Sequence, residues 1–319
     1  MFVAQNIRNF VFNVDCFSKY FDVKICITGT SGFVGQNLIP SISEKEYNIL
    51  SISLRDEWLQ RLPAQYEAII HLAGKAHDTK NTSSAEEYFE INTELTKQLF
   101  DQFLQSNARD FIYFSSVKSA ADTVEGMLDE NVDPNPQTPY GQSKRQAEEY
   151  LLNSELPAER RLFVLRPCMI HGPGNKGNLN LLYKVVSKGI PWPLAAFENR
   201  RSFLSIANLQ YVIKQILQDP SIPGGVYNLA DDDSLSTNEL IQLIGEARDK
   251  KPALWRVSPR LIEGIAKVGD TLRLPLNSER LKKLTESYVV DNSKIKAALD
   301  INKMPVSARE GLLTTLRSF

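Results

Sequence analysis

Cysteine and histidine are scarce in this sequence. Cys16, Cys26 and Cys168 are odd in number and widely spaced along 319 residues, which excludes a disulfide framework and zinc-type ligand spacing. His71, His77 and His171 are the only imidazoles, so no metal site is expected. Few thiols and no pairing pattern suit a reducing compartment, and the expected location is cytoplasmic. An excess of charge is also missing. Lys and Arg total 37 against 38 Asp and Glu, a net charge of −1, which argues against a nucleic-acid partner. No uninterrupted apolar run approaches the roughly 18 residues of a membrane span, so no membrane partner is expected.

What is present belongs to an ordinary globular protein, 42% hydrophobic and 24% charged, and the length suggests two domains. Residues 1–22 precede the first clear strand. Phe10-Val11-Phe12 is apolar, but Asn13 and Asp15 interrupt any signal-peptide core. This segment reads as a dispensable N-terminal extension, with an extra strand or targeting arm as the alternative. From Val23 onward strands alternate with helices. Strands are expected over Val23–Thr28, Asn48–Leu54, Glu67–Leu72, Phe111–Ser115 and Arg161–Leu165. Helices are expected over Phe33–Ile42, Ala85–Ser106 and Tyr140–Asn153. The pattern implies an α/β protein with a Rossmann-like doubly wound parallel sheet over residues 23–167. After Pro167 the alternation stops and Gly/Pro loops appear. Residues 168–319 are expected to form mainly a smaller C-terminal substrate-binding lobe, with Gly225–Leu229 returning to the sheet.

Three motifs carry chemistry. Gly29-Thr30-Ser31-Gly32-Phe33-Val34-Gly35 follows the first strand and opens a helix. Glycines there allow a tight turn and close approach of a pyrophosphate, and the helix N-terminus offers free N–H groups. A plain β–α connection is the bland alternative. At the end of the second strand Arg55 and Asp56 stand side by side. An acid there binds the ribose 2′-OH of NAD, an arginine the 2′-phosphate of NADP, and a solvated surface pair is equally compatible. The second motif is Tyr140-Gly141-Gln142-Ser143-Lys144. With eleven tyrosines, a bare Tyr-x-x-x-Lys is no evidence, and Tyr20–Lys24 also matches. Only Tyr140 and Lys144 fall on a helical pattern, where i and i+4 share a face. A nearby ammonium is expected to lower the tyrosine pKa and make Tyr140 a proton donor and acceptor. The third motif is Phe114-Ser115-Ser116-Val117, at a strand end where ligands of open α/β sheets bind. By itself it is equally a strand-terminating serine pair.

Taken together with His71-Leu72-Ala73-Gly74, Tyr113–Val117, the RQAEE after Lys144, Leu165–Gly174 and the tail at Val289–Leu299, Pro305 and Glu310-Gly311-Leu312, these segments resemble the extended short-chain dehydrogenase/reductase family. The branch they resemble is that of nucleotide-sugar epimerases and dehydratases, over residues 23–319. The resemblance implies Ser116, Tyr140 and Lys144 as catalytic residues. It implies contacts to NAD or NADP from Gly29, Ser31, Gly32, Phe33, Val34, Gly35, Leu72, Ala73, Gly74, Ser115, Tyr140, Lys144 and Pro167, with Asn92 supporting the site. Adjacent Arg200 and Arg201 suit a diphosphate. With the resemblance, they and Asn178 and His77 are expected to bind a nucleoside-diphosphate sugar. His71 reads as a satisfied core histidine, and Trp58, Trp192 and Trp255 carry no assigned role.

Two departures from the family pattern stand out. The strand and aspartate that usually contact adenine are missing between Arg55 and His71, and Ala120-Ala121 replaces a common Tyr-Gly pair. Ser115–Lys118, Lys176–Asn178 and Asn199–Phe203 look most like the 4-epimerases and 4-keto reductases of surface-polysaccharide synthesis. The expected activity is hydride-transfer epimerisation at C4 of a UDP-sugar, as in UDP-glucose 4-epimerases. The alternatives are NADPH-dependent reduction of a UDP- or dTDP-4-keto-6-deoxy sugar, and a non-enzymatic dinucleotide sensor. A homodimer is compatible with all three.

Overall fold

A computed structural model describes residues 24–43, 47–55, 57–63, 65–76, 84–175, 177–272 and 276–319. The extension expected over residues 1–22 lies outside the described residues, as do Asp56 and His77.

Strand β1 (Lys24–Thr28) leads through the glycine turn into α1 (Phe33–Ser43), and β2 (Asn48–Ile52) follows. A 3-10 turn at Trp58–Arg61 precedes β3 (Ala68–His71). Helices α2 (Ala85–Phe89) and α3 (Leu95–Gln105) are joined by a π-helical turn over Glu90–Glu94. Next come β4 (Asp110–Phe114), a 3-10 turn at Val117–Ser119, β5 (Met127–Leu128), α4 (Pro139–Asn153) and β6 (Arg161–Pro167). The remainder runs β7 (Met169–His171), α5 (Asn178–Ser187), β8 (Arg201–Ser205), α6 (Ile206–Gln218), β9 (Gly225–Leu229), β10 (Ser234–Leu235) and α7 (Thr237–Glu246). It ends with α8 (Pro259–Leu272), α9 (Ser278–Thr285), β11 (Val289–Val290), α10 (Ser293–Ala298) and α11 (Ala308–Arg317).

Six strands make one parallel sheet in the order β2-β1-β3-β4-β6-β9. The doubly wound sheet expected from the alternation is present, and Gly225–Leu229 does return to it as edge strand β9. Every residue of β3, β4 and β6 is buried, as parallel strands covered on both faces must be. Alternate side chains divide between two cores. Ile25, Ile27, Ile70, Ile112, Phe163 and Leu165 pack against Leu38 of α1 and Leu209, Val212, Ile213 and Ile216 of α6. Cys26, Ile69, Phe111, Tyr113 and Val164 face Leu99, Phe100 and Phe103 of α3 and Ala147 and Leu151 of α4. A third core joins Leu179, Trp192, Leu194, Phe203 and Leu240 to residues of α8, α9 and α11. It is served by a small sheet in which β7 runs parallel and β10 antiparallel to β8.

Among the described residues no strand lies between β2 and β3, in line with the missing strand noted in the sequence. The strand order therefore switches direction between β1 and β3. In open α/β sheets the ligand crevice lies beyond the carboxyl ends at such a point, here Thr28 and His71.

Candidate active site

The three glycines of the first turn have different jobs. Gly29 has φ +70°, and a Cβ on it would lie 2.6 Å from Ala73 N. A Cβ on Gly35 would lie 2.6 Å from Thr30 Cα and 2.7 Å from Gly29 O. The chain itself requires both. Gly32 is exposed, and a Cβ there would meet only Gly29 O, at 3.2 Å. Its bare face therefore opens outward, beside the exposed Ser31. Phe33, Val34 and Gly35 occupy the first turn of α1, where backbone N–H groups have no intrahelical acceptor. A turn with one outward glycine and free N–H groups fits the pyrophosphate of a dinucleotide.

The opposite wall is Leu72-Ala73-Gly74, just past β3. Ala73 N donates to Thr28 Oγ1 at 3.2 Å. Thr28 Oγ1 lies 2.7 Å from His71 Nδ1, and His71 Nε2 lies 2.9 Å from Thr96 Oγ1. Burial pushes His71 down to about 3, with the Lys144 charge adding to it. The neutral ring thus ties β1, β3 and α3 together, as a satisfied core histidine does. Gly74 reaches the centre of the site: a Cβ there would stand 3.0 Å from both Asn92 Oδ1 and Lys144 Nζ. Asn92 sits in the π-helical turn, which breaks the single helix expected over Ala85–Ser106. Its side chain accepts from Lys75 N (2.7 Å) and donates to Lys75 O and Ser143 Oγ (3.0 Å each). Asn92 thereby clamps the Gly74 loop to α4, a supporting role.

Tyr140 and Lys144 lie one turn apart on α4. Thr138 caps that helix by accepting from Gly141 N at 3.2 Å, and Pro139 occupies its first turn. Asp122 accepts from Gln137 N (2.6 Å) and Thr138 N (3.2 Å), fixing the approach. Ser116 stands just beyond β4 with extended backbone, and its Oγ accepts from Lys118 N at 3.2 Å. The Ser116 hydroxyl neighbours the Tyr140 phenol and favours its ionised form. Lys144 is buried, donates to Phe114 O at 2.8 Å and lies 4.9 Å from the Tyr113 ring centroid. Ser116 thus neighbours Tyr140, and Lys144 stands one helical turn further on.

The electrostatics differ from expectation. Tyr140 was expected below its ordinary value on account of Lys144. Burial instead pushes it above 10.0; the Ser116 hydrogen bond pulls it back, and Tyr88, 6.4 Å away ring to ring, adds to the rise. Lys144, whose ammonium donates to the Phe114 carbonyl, does not offset that burial, and burial pushes Lys144 itself down to about 8, with Glu148 opposing. Above that pH the lysine loses its charge. The kcat/KM profile, which reports free-enzyme groups, is therefore expected to fall as pH rises through about 8. Profiles measured from below to above that value check this; a flat profile there contradicts it.

One further turn along α4, Glu148 is fully buried. It accepts from Arg166 through Nε (2.9 Å) and Nη2 (2.5 Å) and from Ser115 Oγ (2.5 Å), and Ser119 Oγ lies 2.6 Å away. Ser115, expected at the cofactor, instead turns its side chain into this network. Ser115 and Ser119 bracket Ser116, so Glu148 holds the segment that carries the Ser116 hydroxyl. Sequence reasoning passed over Glu148, although Tyr140, Lys144 and Glu148 share one helical face. Glu148→Gln leaves the buried Arg166 without a counter-charge, and a loss of about 3–5 kcal/mol of stability is expected. Denaturant unfolding measures it; a loss under ~1 kcal/mol contradicts the account.

The remaining candidates are less central. Pro167 ends β6, paired with Leu229 of β9. Arg55 is exposed, past the end of β2 at Ile52 rather than in a strand reaching Leu54. Asn178 is the first residue of α5. Arg200 is exposed and bonds Ser234 O (3.0 Å) and Glu239 (3.3 Å). Arg201 is part-buried, donates to Glu286 O (3.0 Å) and Lys283 O, and is held below its ordinary pKa by burial. Both arginines thus already have protein partners, which the sequence did not reveal. Lys118, two residues after Ser116, lies 4.1 Å over the Tyr288 ring and also feels the charge of Arg201.

Fold and site define an NAD-dependent α/β enzyme of the epimerase/dehydratase class. Residues 25–230 match the NAD dependent epimerase/dehydratase family, and the chain belongs to it. It is 31% identical to the UDP-glucose 4-epimerase of Vibrio cholerae, over 92% of this chain and 95% of that protein. It is 26% identical to the N-acetyl-α-D-glucosaminyl-diphospho-ditrans,octacis-undecaprenol 4-epimerase of Escherichia coli O157:H7, over 92% and 94%. Its fold superposes on the solved UDP-N-acetylglucosamine 4-epimerase of Bacillus cereus with a TM-score of 0.71 at 20% identity, covering 93% of this chain and 97% of that one.

Proposed function

We propose that the protein is a nucleotide-sugar 4-epimerase acting on a UDP-sugar. The observation that carries the reading is that Tyr140 neighbours Ser116 while Lys144, one turn on along α4, reaches Gly74, whose loop touches the glycine turn at Gly29. The two curated relatives described above are both 4-epimerases by name.

When bound, the nicotinamide supplies a two-electron acceptor and donor for sugar C4. The rest falls to the chain. Tyr140 takes the proton from the C4 hydroxyl and later returns it. Its raised pKa disfavours the phenolate that takes the proton in the first step and favours the phenol that returns it once the 4-keto sugar has turned its other face. Ser116 holds the C4 oxygen in line with that proton. Lys144 positions the nicotinamide ribose, and Gly29, Ser31, Gly32, Phe33, Val34 and Gly35 bind the pyrophosphate. Residues 168–319 mainly bind the sugar nucleotide, through Asn178 and one of Arg200 and Arg201. A cytoplasmic homodimer fits this reading.

Arg201→Ala is expected to raise KM severalfold more than it lowers kcat, because a diphosphate remote from C4 is held alike in ground and transition states. Steady-state kinetics with a UDP-sugar decide. An unchanged KM moves the diphosphate contact elsewhere.

The exposed Arg55 favours a second reading, an NADPH-dependent 4-keto reductase. Mass spectrometry of the cofactor released from denatured protein separates the two. An epimerase returns its electrons to the same sugar and keeps NAD bound. Protein that retains no cofactor, yet consumes NADPH with a 4-keto sugar, overturns the epimerase reading.

A further inference from the structure

Among the described residues no helix is long and apolar enough to cross a membrane. That says nothing about a helix lying on a membrane surface. Helix α8 carries two apolar faces. Ile262, Ala266 and Gly269 are buried against the C-terminal core. Leu261, Ile265, Val268 and Leu272 lie on the adjoining face, roughly a quarter-turn away, and are exposed by 58, 44, 54 and 64%. At about 100° per residue these four fall within roughly 60° of arc, so they form one stripe along a helix about 21 Å long. The buried face holds the stripe outward.

Trp255 lies just before α8 and is 57% exposed. Its backbone is fixed: Trp255 N donates to Trp192 O at 2.8 Å, and Ala195 N donates to Trp255 O at 3.2 Å. An exposed indole on a fixed backbone, four residues before an apolar helix, suits the boundary between headgroups and acyl chains.

The charges around the stripe indicate what covers it. Between Asp249 and Leu272, Lys250, Lys251, Arg256, Arg260 and Lys267 are all exposed, against Asp249, Glu263 and Asp270. Asp270 is occupied in accepting from Ser278 N (2.9 Å) and Ser278 Oγ (2.6 Å). Arg260 and Lys267 flank the stripe on its solvent side. A second copy docked here with its α8 antiparallel would set cationic fringe against cationic fringe. An anionic bilayer surface complements both the stripe and the fringe. We propose that α8 and Trp255 form a docking face for the surface of an anionic phospholipid bilayer. This inference does not rest on the reaction proposed above.

The full-length protein is tested with vesicles of phosphatidylglycerol and phosphatidylethanolamine, and with pure phosphatidylcholine as control. Co-sedimentation and tryptophan emission are the readouts. Trp58 and Trp192 are buried, 4 and 6% exposed, so an emission change on mixing reports on Trp255. The expected result is binding to the anionic vesicles with a blue shift, weakened by salt. In the double variant Ile265→Glu/Leu272→Glu binding falls about tenfold or more, with thermal unfolding and NAD affinity unchanged. Four results overturn the proposal: no binding to anionic vesicles, equal binding to phosphatidylcholine, binding unaffected by the double variant, or a dimer that the double variant dissociates in protein that ignores vesicles.

Discussion

Tyr140→Phe is expected to lose 10²–10⁴-fold in kcat, the usual range for removing a positioned acid-base group. The variant deletes one oxygen. That oxygen neighbours the Ser116 hydroxyl, and the ring stays against Tyr88, so packing at the start of α4 is preserved. Lys144 keeps its bond to Phe114 O, and cofactor affinity is expected to stay within about twofold. Loss of turnover without loss of NAD binding is the signature of proton transfer. Stopped-flow turnover and calorimetric titration of NAD on the same sample check both halves. Near-normal turnover removes Tyr140 from the mechanism.

Gly32→Val has the opposite signature. The fold can take the side chain with a small adjustment, because the one neighbour a Cβ would meet is Gly29 O at 3.2 Å, a tight contact that a shift of a few tenths of an ångström relieves. The branched methyls project over the mouth of α1, into the approach that a pyrophosphate needs. A loss of NAD affinity on the order of 100-fold or more is expected, with little change in thermal stability. That difference is what makes Gly32 the informative position. Substitution at Gly29 or Gly35 drives a Cβ to 2.6 Å of the backbone and would confuse folding with binding. Unchanged NAD affinity in folded Gly32→Val would reduce the turn to a β–α connection.

Much of this was legible in the sequence where chemistry and local pattern coincide. The strand-glycine-helix unit at Lys24–Ser43 announces itself because period, turn residues and helix start all agree. Tyr140 and Lys144 were separable from the other Tyr-x-x-x-Lys because only they fit a helix. Residues whose meaning depends on a distant partner were not legible. Glu148 is visible on the Tyr140 face of α4, but its partner Arg166 arrives from the end of β6. Arg201 reads as an anion binder until the carbonyls of Lys283 and Glu286 come up against it. The expected drop in the Tyr140 pKa failed because neighbours in sequence do not give the depth of burial, which pushes it up instead. Helix α8 shows apolar residues on two faces, and periodicity alone does not say which of them the core will claim.

Incubating the purified protein with UDP-glucose and no added cofactor, and following the anomeric region by NMR, tests the central claim most directly. The account predicts conversion to the C4 epimer until the two sugars reach equilibrium, no net change in nicotinamide redox state, and no conversion by Tyr140→Phe. Protein that holds NAD but leaves UDP-glucose and the other common UDP-sugars unchanged would contradict it.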